Sequence, residues 1–147
     1  MMCIRWLFRN AASDFHDDGT TLMPSNKKNI LLVDDERSVL LTWRLLFEDK
    51  GYAVTTAENC AEAIKILADD RHFDAVVTDL NMEEDNIGLK VAKSALKKKP
   101  KPVVIVCTGY ATIDNSKAVL KMGVDYMAHK PVDWDDFHSA LDRLMRE

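Results

Sequence analysis

The stretch Ile30-Leu31-Leu32-Val33-Asp34-Asp35 decides the fold: four apolar residues end abruptly on two acids. Three further runs repeat the design. Ala75-Val76-Val77-Thr78 ends on Asp79, Val103-Val104-Ile105-Val106-Cys107 ends on Thr108, and a run before Pro131 ends on Lys130. Short, continuously apolar runs fit strands of a parallel sheet covered on both faces. Side by side, such strands gather their polar ends at the carboxyl edge, where open α/β sheets bind ligands. Acids with one hydroxyl and one amine suit a divalent metal and a phosphoryl group.

Amphipathic stretches separate the runs. Residues 36–49 place Val39, Leu40, Trp43, Leu46 and Phe47 at helical spacing. Lys50-Gly51 ends that helix, Gly being the usual residue just past a helix end. Residues 52–56 read as a strand, and Asn59 as the N-cap of a helix through Ala63, Ile64, Leu67 and Ala68. Leu89, Ala92, Ala95 and Leu96 carry a third helix that stops before Pro100. Thr112 or Asp114 caps a fourth, closed by Gly123, and residues 124–128 form a fifth strand. Asp133 caps a last helix bearing Phe137, Leu141, Leu144 and Met145, where Trp134 reads as packing. The order is strand–helix five times over, which implies a parallel sheet with helices on both faces. The expected fold is α/β and flavodoxin-like: a (βα)5 three-layer sandwich with a parallel five-stranded sheet in the order 2-1-3-4-5.

Composition sets the bounds. The chain has 147 residues, 47% hydrophobic and 30% charged, which suits one soluble domain with a real core. A net charge of −4 gives no field for nucleic acid or an anionic membrane, so no direct nucleic-acid binding is expected. No apolar run approaches the roughly 18 residues of a membrane helix. Cys3, Cys60 and Cys107 have neither metal-like nor disulfide-like spacing, so they read as cytoplasmic thiols. Residues 1–27 read as a poorly ordered N-terminal extension ahead of a domain over residues 28–147, and Met23 is a candidate true start. Trp6-Leu7-Phe8 motivates a minority reading as a docking segment.

Each polar residue has a bland alternative. Asp34-Asp35 before a helix could only cap it, and Asp79, Thr108 and Lys130 could be ordinary loop residues. Their joint placement at the ends of four runs favours a site. Three close carboxylates repel, and Mg²⁺ resolves this because it takes oxygen ligands. A carboxylate beside the metal can act as a nucleophile and form an acyl phosphate. No glycine-rich phosphate loop or dinucleotide fingerprint is present.

Val33-Asp34-Asp35, Thr78-Asp79-Leu80-Asn81-Met82, Val106-Cys107-Thr108-Gly109 and His129-Lys130-Pro131 resemble, in order and spacing, the motifs of two-component response-regulator receiver domains such as the chemotaxis receiver. The resemblance covers roughly residues 28 to 147. It implies that Asp79 is the phosphoacceptor, charged from the phosphohistidine of a histidine kinase or histidine phosphotransfer protein. Asp35 and Asp79 would ligate Mg²⁺ together with the Asn81 backbone carbonyl, and Asp34 would act through a metal-bound water. Thr108 and Lys130 would contact the phosphoryl group, Pro131 would follow a cis bond, and small Gly109 would leave the site open. Asn81 and Tyr110 occupy the two positions that tune phosphoryl lifetime in that family, and Tyr110 is expected to shield the acyl phosphate.

Two departures from the family pattern stand out. The usual aromatic switch position, three before the lysine, holds Met127. Tyr126 lies one place off, on the other face of a strand, and cannot simply substitute. The loop after Asp79 is one residue longer than usual and acidic, Glu83-Glu84-Asp85-Asn86, with Gly88 nine residues beyond Asp79. It reads first as a tolerated surface insertion, and more sharply as acids that repel acidic partners or alter metal affinity.

The expected function is a stand-alone receiver, not an enzyme beyond its own phosphorylation and dephosphorylation. It would signal through the face of the fourth helix, fifth strand and fifth helix, to an unknown protein partner or a phosphorylation-dependent homodimer. The alternatives are a phosphorylation-independent scaffold and, with less support, a metal-dependent phosphatase, which normally needs a cap or substrate pocket.

Overall fold

Ile30, Leu31, Leu32 and Val33 are buried without a break, and so are Ala75, Val76 and Val77. A strand buried on both faces has helices on both, and the computed structural model, which describes residues 26–110 and 112–146, has that architecture. Its elements alternate as β1 (Asn29–Val33), α1 (Arg37–Asp49), β2 (Ala53–Ala57), α2 (Cys60–Leu67), β3 (Ala75–Asp79), α3 (Gly88–Leu96), β4 (Val103–Thr108), α4 (Ile113–Met122), β5 (Tyr126–His129) and α5 (Trp134–Arg146). The strands form one sheet in the order β2-β1-β3-β4-β5, and every neighbouring pair is parallel. The segment Trp6-Leu7-Phe8 and Cys3 lie outside the described residues.

Alternation along the strands divides the core. Leu31, Val33, Val76, Val104 and Val106 face α2, α3 and α4, meeting Ala63, Leu67, Val91, Ala95 and Val119. Ile30, Leu32, Val77, Ile105 and Cys107 face α1 and α5, meeting Leu40, Phe47, Phe137 and Leu141. Aromatic rings thicken this second layer. Trp43 meets Phe137 edge-on at 4.7 Å and Trp134 at 5.6 Å, and Trp134 meets Phe47 at 5.0 Å. Trp134 is thus packing, as its sequence context suggests.

The expected helix starts and stops hold. Asn59 accepts the Glu62 amide, Thr112 the Asn115 amide and Asp133 the Asp136 amide. Gly51 and Gly123, at φ of 91° and 99°, end α1 and α4 in the left-handed region that glycine enters without a side-chain penalty. Two strand boundaries need correction. β2 spans Ala53–Ala57 rather than residues 52–56, because the Tyr52 amide closes the end of α1 on the Phe47 carbonyl at 3.1 Å. β5 spans Tyr126–His129 rather than residues 124–128. Val124 is buried like a strand residue, but the Asp125 carboxylate accepts the Val104 amide at 2.8 Å, so a side chain stands where a ladder bond would begin. No described helix is long and apolar enough to cross a membrane.

Candidate functional site

Every acid of the candidate site stands at a strand end. Asp34 and Asp35 follow β1 directly, and Asp79 is the last residue of β3. β1 and β3 are neighbours with Val33 opposite Thr78, so the two acidic groups converge. One carboxylate oxygen from each of Asp34, Asp35 and Asp79 lies within 4.8 Å of the others. Asp34 and Asp79 are buried and Asp35 is exposed. Lys130 follows β5 and reaches across β4, placing Nζ 3.2 Å from Asp34 Oδ2 and 3.2 Å from Asp79 Oδ2. Its main chain is fixed by donation of its amide to the Thr108 carbonyl at 2.8 Å. Asp34 also accepts the Glu36 amide at 2.9 Å, so it braces the turn into α1 and holds the lysine at once.

The charges do not balance. Burial pushes the Asp79 carboxyl above its ordinary value, the Lys130 ammonium pulls it back, and Asp34 pushes it up again, with a net rise. Burial disfavours the Lys130 charge, but Asp79 and Asp34 outweigh burial and hold the ammonium above its usual range. Partial burial, then Asp34, raises Asp35. Three carboxylates share one cation, and a second cation relieves the excess. The donor set fits Mg²⁺, which favours oxygen ligands and commonly takes one or two carboxylates. No backbone amide among the described residues donates to the Asn81 carbonyl, which leaves that oxygen available as a further ligand.

The remaining candidates surround this core. Thr108 is buried at the end of β4, and its hydroxyl accepts the Tyr110 amide at 3.1 Å rather than touching the acids. Tyr110 itself is 76% exposed. A methyl group on Gly109 would meet the Lys130 Cβ at 3.8 Å, an ordinary contact. The Lys130–Pro131 bond is cis. Met127 packs into the layer containing Val106, while Tyr126 packs into the opposite layer with Phe137, so the two residues do lie on opposite faces.

Three features escape the sequence reading. Gly88 lies against the acceptor strand: a Cβ there would fall 2.0 Å from the Asp79 carbonyl oxygen and 2.8 Å from the Leu80 Cα. Its position after Asp79 was the signal, but the reason is contact rather than register. Next, the acidic loop is ordered by bonds. Asn81 Oδ1 accepts the Asn86 amide at 2.7 Å, and Glu83 Oε1 accepts the Cys60 amide at 3.0 Å. Last, a cleft of about 230 Å³ opens between α1 and the segment after β5. Trp43, Leu40, Val77 and Val132 line it, with Asp34, Asp79 and Lys130 on its polar side. Cys107 also borders it, and burial pushes that thiol up to about 12, which favours its protonated form.

Comparison with known proteins agrees with this geometry. A sequence model described as the response regulator receiver domain matches residues 30–142. The transcriptional regulatory protein GlrR of Escherichia coli is 32% identical over 125 residues, which is 85% of this chain and 28% of that protein. The chain therefore spans under a third of that relative's length. A CheY-like receiver domain protein from Methanospirillum hungatei superposes with a TM-score of 0.76 at 27% identity, covering 82% of this chain and 95% of that one. A response regulator from Burkholderia pseudomallei, solved with a phosphorylated aspartic acid, a calcium ion and citrate, gives 0.72 at 30% identity, covering 82% and 69%.

Proposed function

The chain belongs to the response regulator receiver domain family, and we propose that Asp79 is its phosphoacceptor. The observation that carries this is one contact set: a buried carboxylate ending β3, with the Lys130 ammonium 3.2 Å away and two more acids close by. One Asp79 oxygen attacks phosphorus, the N–P bond of a donor phosphohistidine breaks, and its electron pair returns to the imidazole. Lys130 balances charge on the phosphoryl oxygens as they approach Asp79. Asp35, Asp79 and the Asn81 carbonyl would hold Mg²⁺, with Asp34 beside them. When bound, the metal supplies neutralisation of the transferring phosphoryl group. The calcium ion and phosphorylated aspartate of the Burkholderia protein support this use of such a site.

Phosphorylation then acts as a switch. The Thr108 hydroxyl leaves the Tyr110 amide for a phosphoryl oxygen, and Met127 beneath it repacks. The signal passes through α4, β5 and α5 to a protein partner or a second copy of the chain. Transfer from a histidine kinase or phosphotransfer protein and a cytoplasmic location belong to the same proposal. Incubation with Mg²⁺ and acetyl phosphate tests it. Wild type is expected to gain one phosphoryl group by intact mass, and Asp79→Asn to gain none. Equal gain of label by both proteins would refute the assignment, and no label on wild type would favour a scaffold that does not use the site.

A further inference from the structure

The loop between β3 and α3 carries the Asn81 carbonyl. Its two ends are fixed to backbone: Leu80 donates its amide to Cys107, and Gly88 donates its amide to Leu80, each at 2.8 Å. Between them, the bonds Asn86 to Asn81, Met82 to Glu84 and Ile87 to Glu84 are all internal. Internal bonds shape the loop without anchoring it. The Leu89 and Lys90 amides donate to the Asn86 and Ile87 carbonyls, each at 3.0 Å, and join the end of the loop to the adjoining α3. Among the described residues, one side-chain bond ties the loop to an element that does not adjoin it, from the Cys60 amide to Glu83 Oε1 at 3.0 Å. Met82 adds apolar contact with the core on the α2–α3 side.

The anchor point is well chosen physically. Cys60 is the first residue of α2, and the first amides of a helix have no partner within it. Asn59 serves the Glu62 amide, which leaves the Cys60 amide for an outside acceptor. α2 is in turn rigid, since Cys60, Ala63 and Leu67 are buried.

We propose that Glu83 is a positioning residue: by bonding the start of α2, it pins the lengthened loop and holds the Asn81 carbonyl where a metal at the acidic cluster can use it. This deepens the receiver reading and rests on it. Glu83 acts here as a hydrogen-bond acceptor and not through its charge, so the extra loop residue provides a tether rather than a repulsive surface.

Four proteins separate these roles. Glu83→Ala removes acceptor and charge, and Glu83→Gln keeps the acceptor. Asn59→Ala weakens the same helix start without touching the loop. Mg²⁺ affinity is measured calorimetrically, with amide exchange of Cys60 and residues 81–88 as a second readout. Glu83→Ala should weaken Mg²⁺ binding about three- to tenfold, the equivalent of one net hydrogen bond. It should also speed exchange at Cys60 and in the loop. Glu83→Gln and Asn59→Ala should bind Mg²⁺ within about twofold of wild type, a change smaller than such a bond is worth. Acetyl phosphate labelling of Glu83→Ala should recover at saturating Mg²⁺. An unchanged Glu83→Ala, a Glu83→Gln as weak as Ala, or an equal loss in Asn59→Ala would each overturn the tether. A wild type that binds Mg²⁺ but takes no phosphoryl group would overturn the receiver reading alone. One that binds no Mg²⁺ would overturn both.

Discussion

Replacing Gly88 by alanine adds one methyl group at the tightest point behind the acceptor. The new Cβ would lie 2.0 Å from the Asp79 carbonyl oxygen, 2.8 Å from the Leu80 Cα and 2.9 Å from the Asp79 carbonyl carbon. All three are backbone atoms of the strand end and cannot rotate away, so α3 must retreat by about 1 Å or more to restore ordinary contact. Retreat stretches or breaks the Gly88-to-Leu80 amide bond, now 2.8 Å. Overpacking of this kind costs about 1–3 kcal/mol, and the lost bond about 1 kcal/mol more. A total of about 2–4 kcal/mol is a large share of a domain's stability and lowers Tm by about 10 °C. Scanning calorimetry on the metal-free protein measures it. The same retreat drags the Asp79 backbone, so the initial rate of acetyl phosphate labelling should fall more than tenfold under conditions where the variant is still folded. A Gly88→Ala protein with Tm within about 2 °C of wild type and an unchanged labelling rate would refute the close-approach explanation.

Other perturbations follow from the charges. Asp79→Asn should stabilise the metal-free protein at pH 7, because it removes a buried carboxylate charge while Lys130 keeps Asp34 as its partner. Burial raises the Asp79 carboxyl in the folded state, so its ionised form costs stability above the unfolded value of about 3.9. The gain should therefore close as pH falls below about 4, and urea titrations at both pH values that showed the reverse order would contradict it. Lys130→Met strips the cation from Asp34 and Asp79. With the lysine 30% exposed, the cost should be about 1–3 kcal/mol at pH 7 rather than the larger penalty of a fully buried pair, and it should shrink once the carboxyls protonate. In the wild type, the raised Lys130 contributes stability below its unfolded value of about 10.4 and loses it as pH rises through the higher folded one. Tyr110→Ala should shorten the life of the acyl phosphate, followed as loss of label after removal of the donor; an unchanged rate would show that a ring this exposed shields nothing.

Much of the site can be read from the sequence because strand geometry is simple. A buried parallel strand is a continuous apolar run, and the polar residues that end it mark the carboxyl edge, so Asp34, Asp79, Thr108 and Lys130 announce their own positions. Period two also assigns Met127 and Tyr126 to opposite layers. Less legible are features set by contacts between elements. Val124 is apolar and buried yet outside β5, since Asp125 intercepts the Val104 amide. Gly88 resembles any helix-start glycine until the strand behind it is in place. Glu83 looks like a solvated acid in a run of acids, and nothing in its neighbours tells of a free amide at Cys60, 23 residues earlier. The cleft beside Trp43 likewise exists only once α1 and the segment after β5 flank the sheet.

The phosphoacceptor is one carboxylate, and its chemistry can be trapped. Wild-type protein treated with Mg²⁺ and acetyl phosphate should be reduced with borohydride, which converts a phosphorylated aspartate to homoserine, then digested and mapped by mass spectrometry. Homoserine is expected at Asp79, dependent on Mg²⁺. Homoserine at Asp34 or Asp35 with none at Asp79, or no homoserine in a folded, metal-loaded protein, would contradict it.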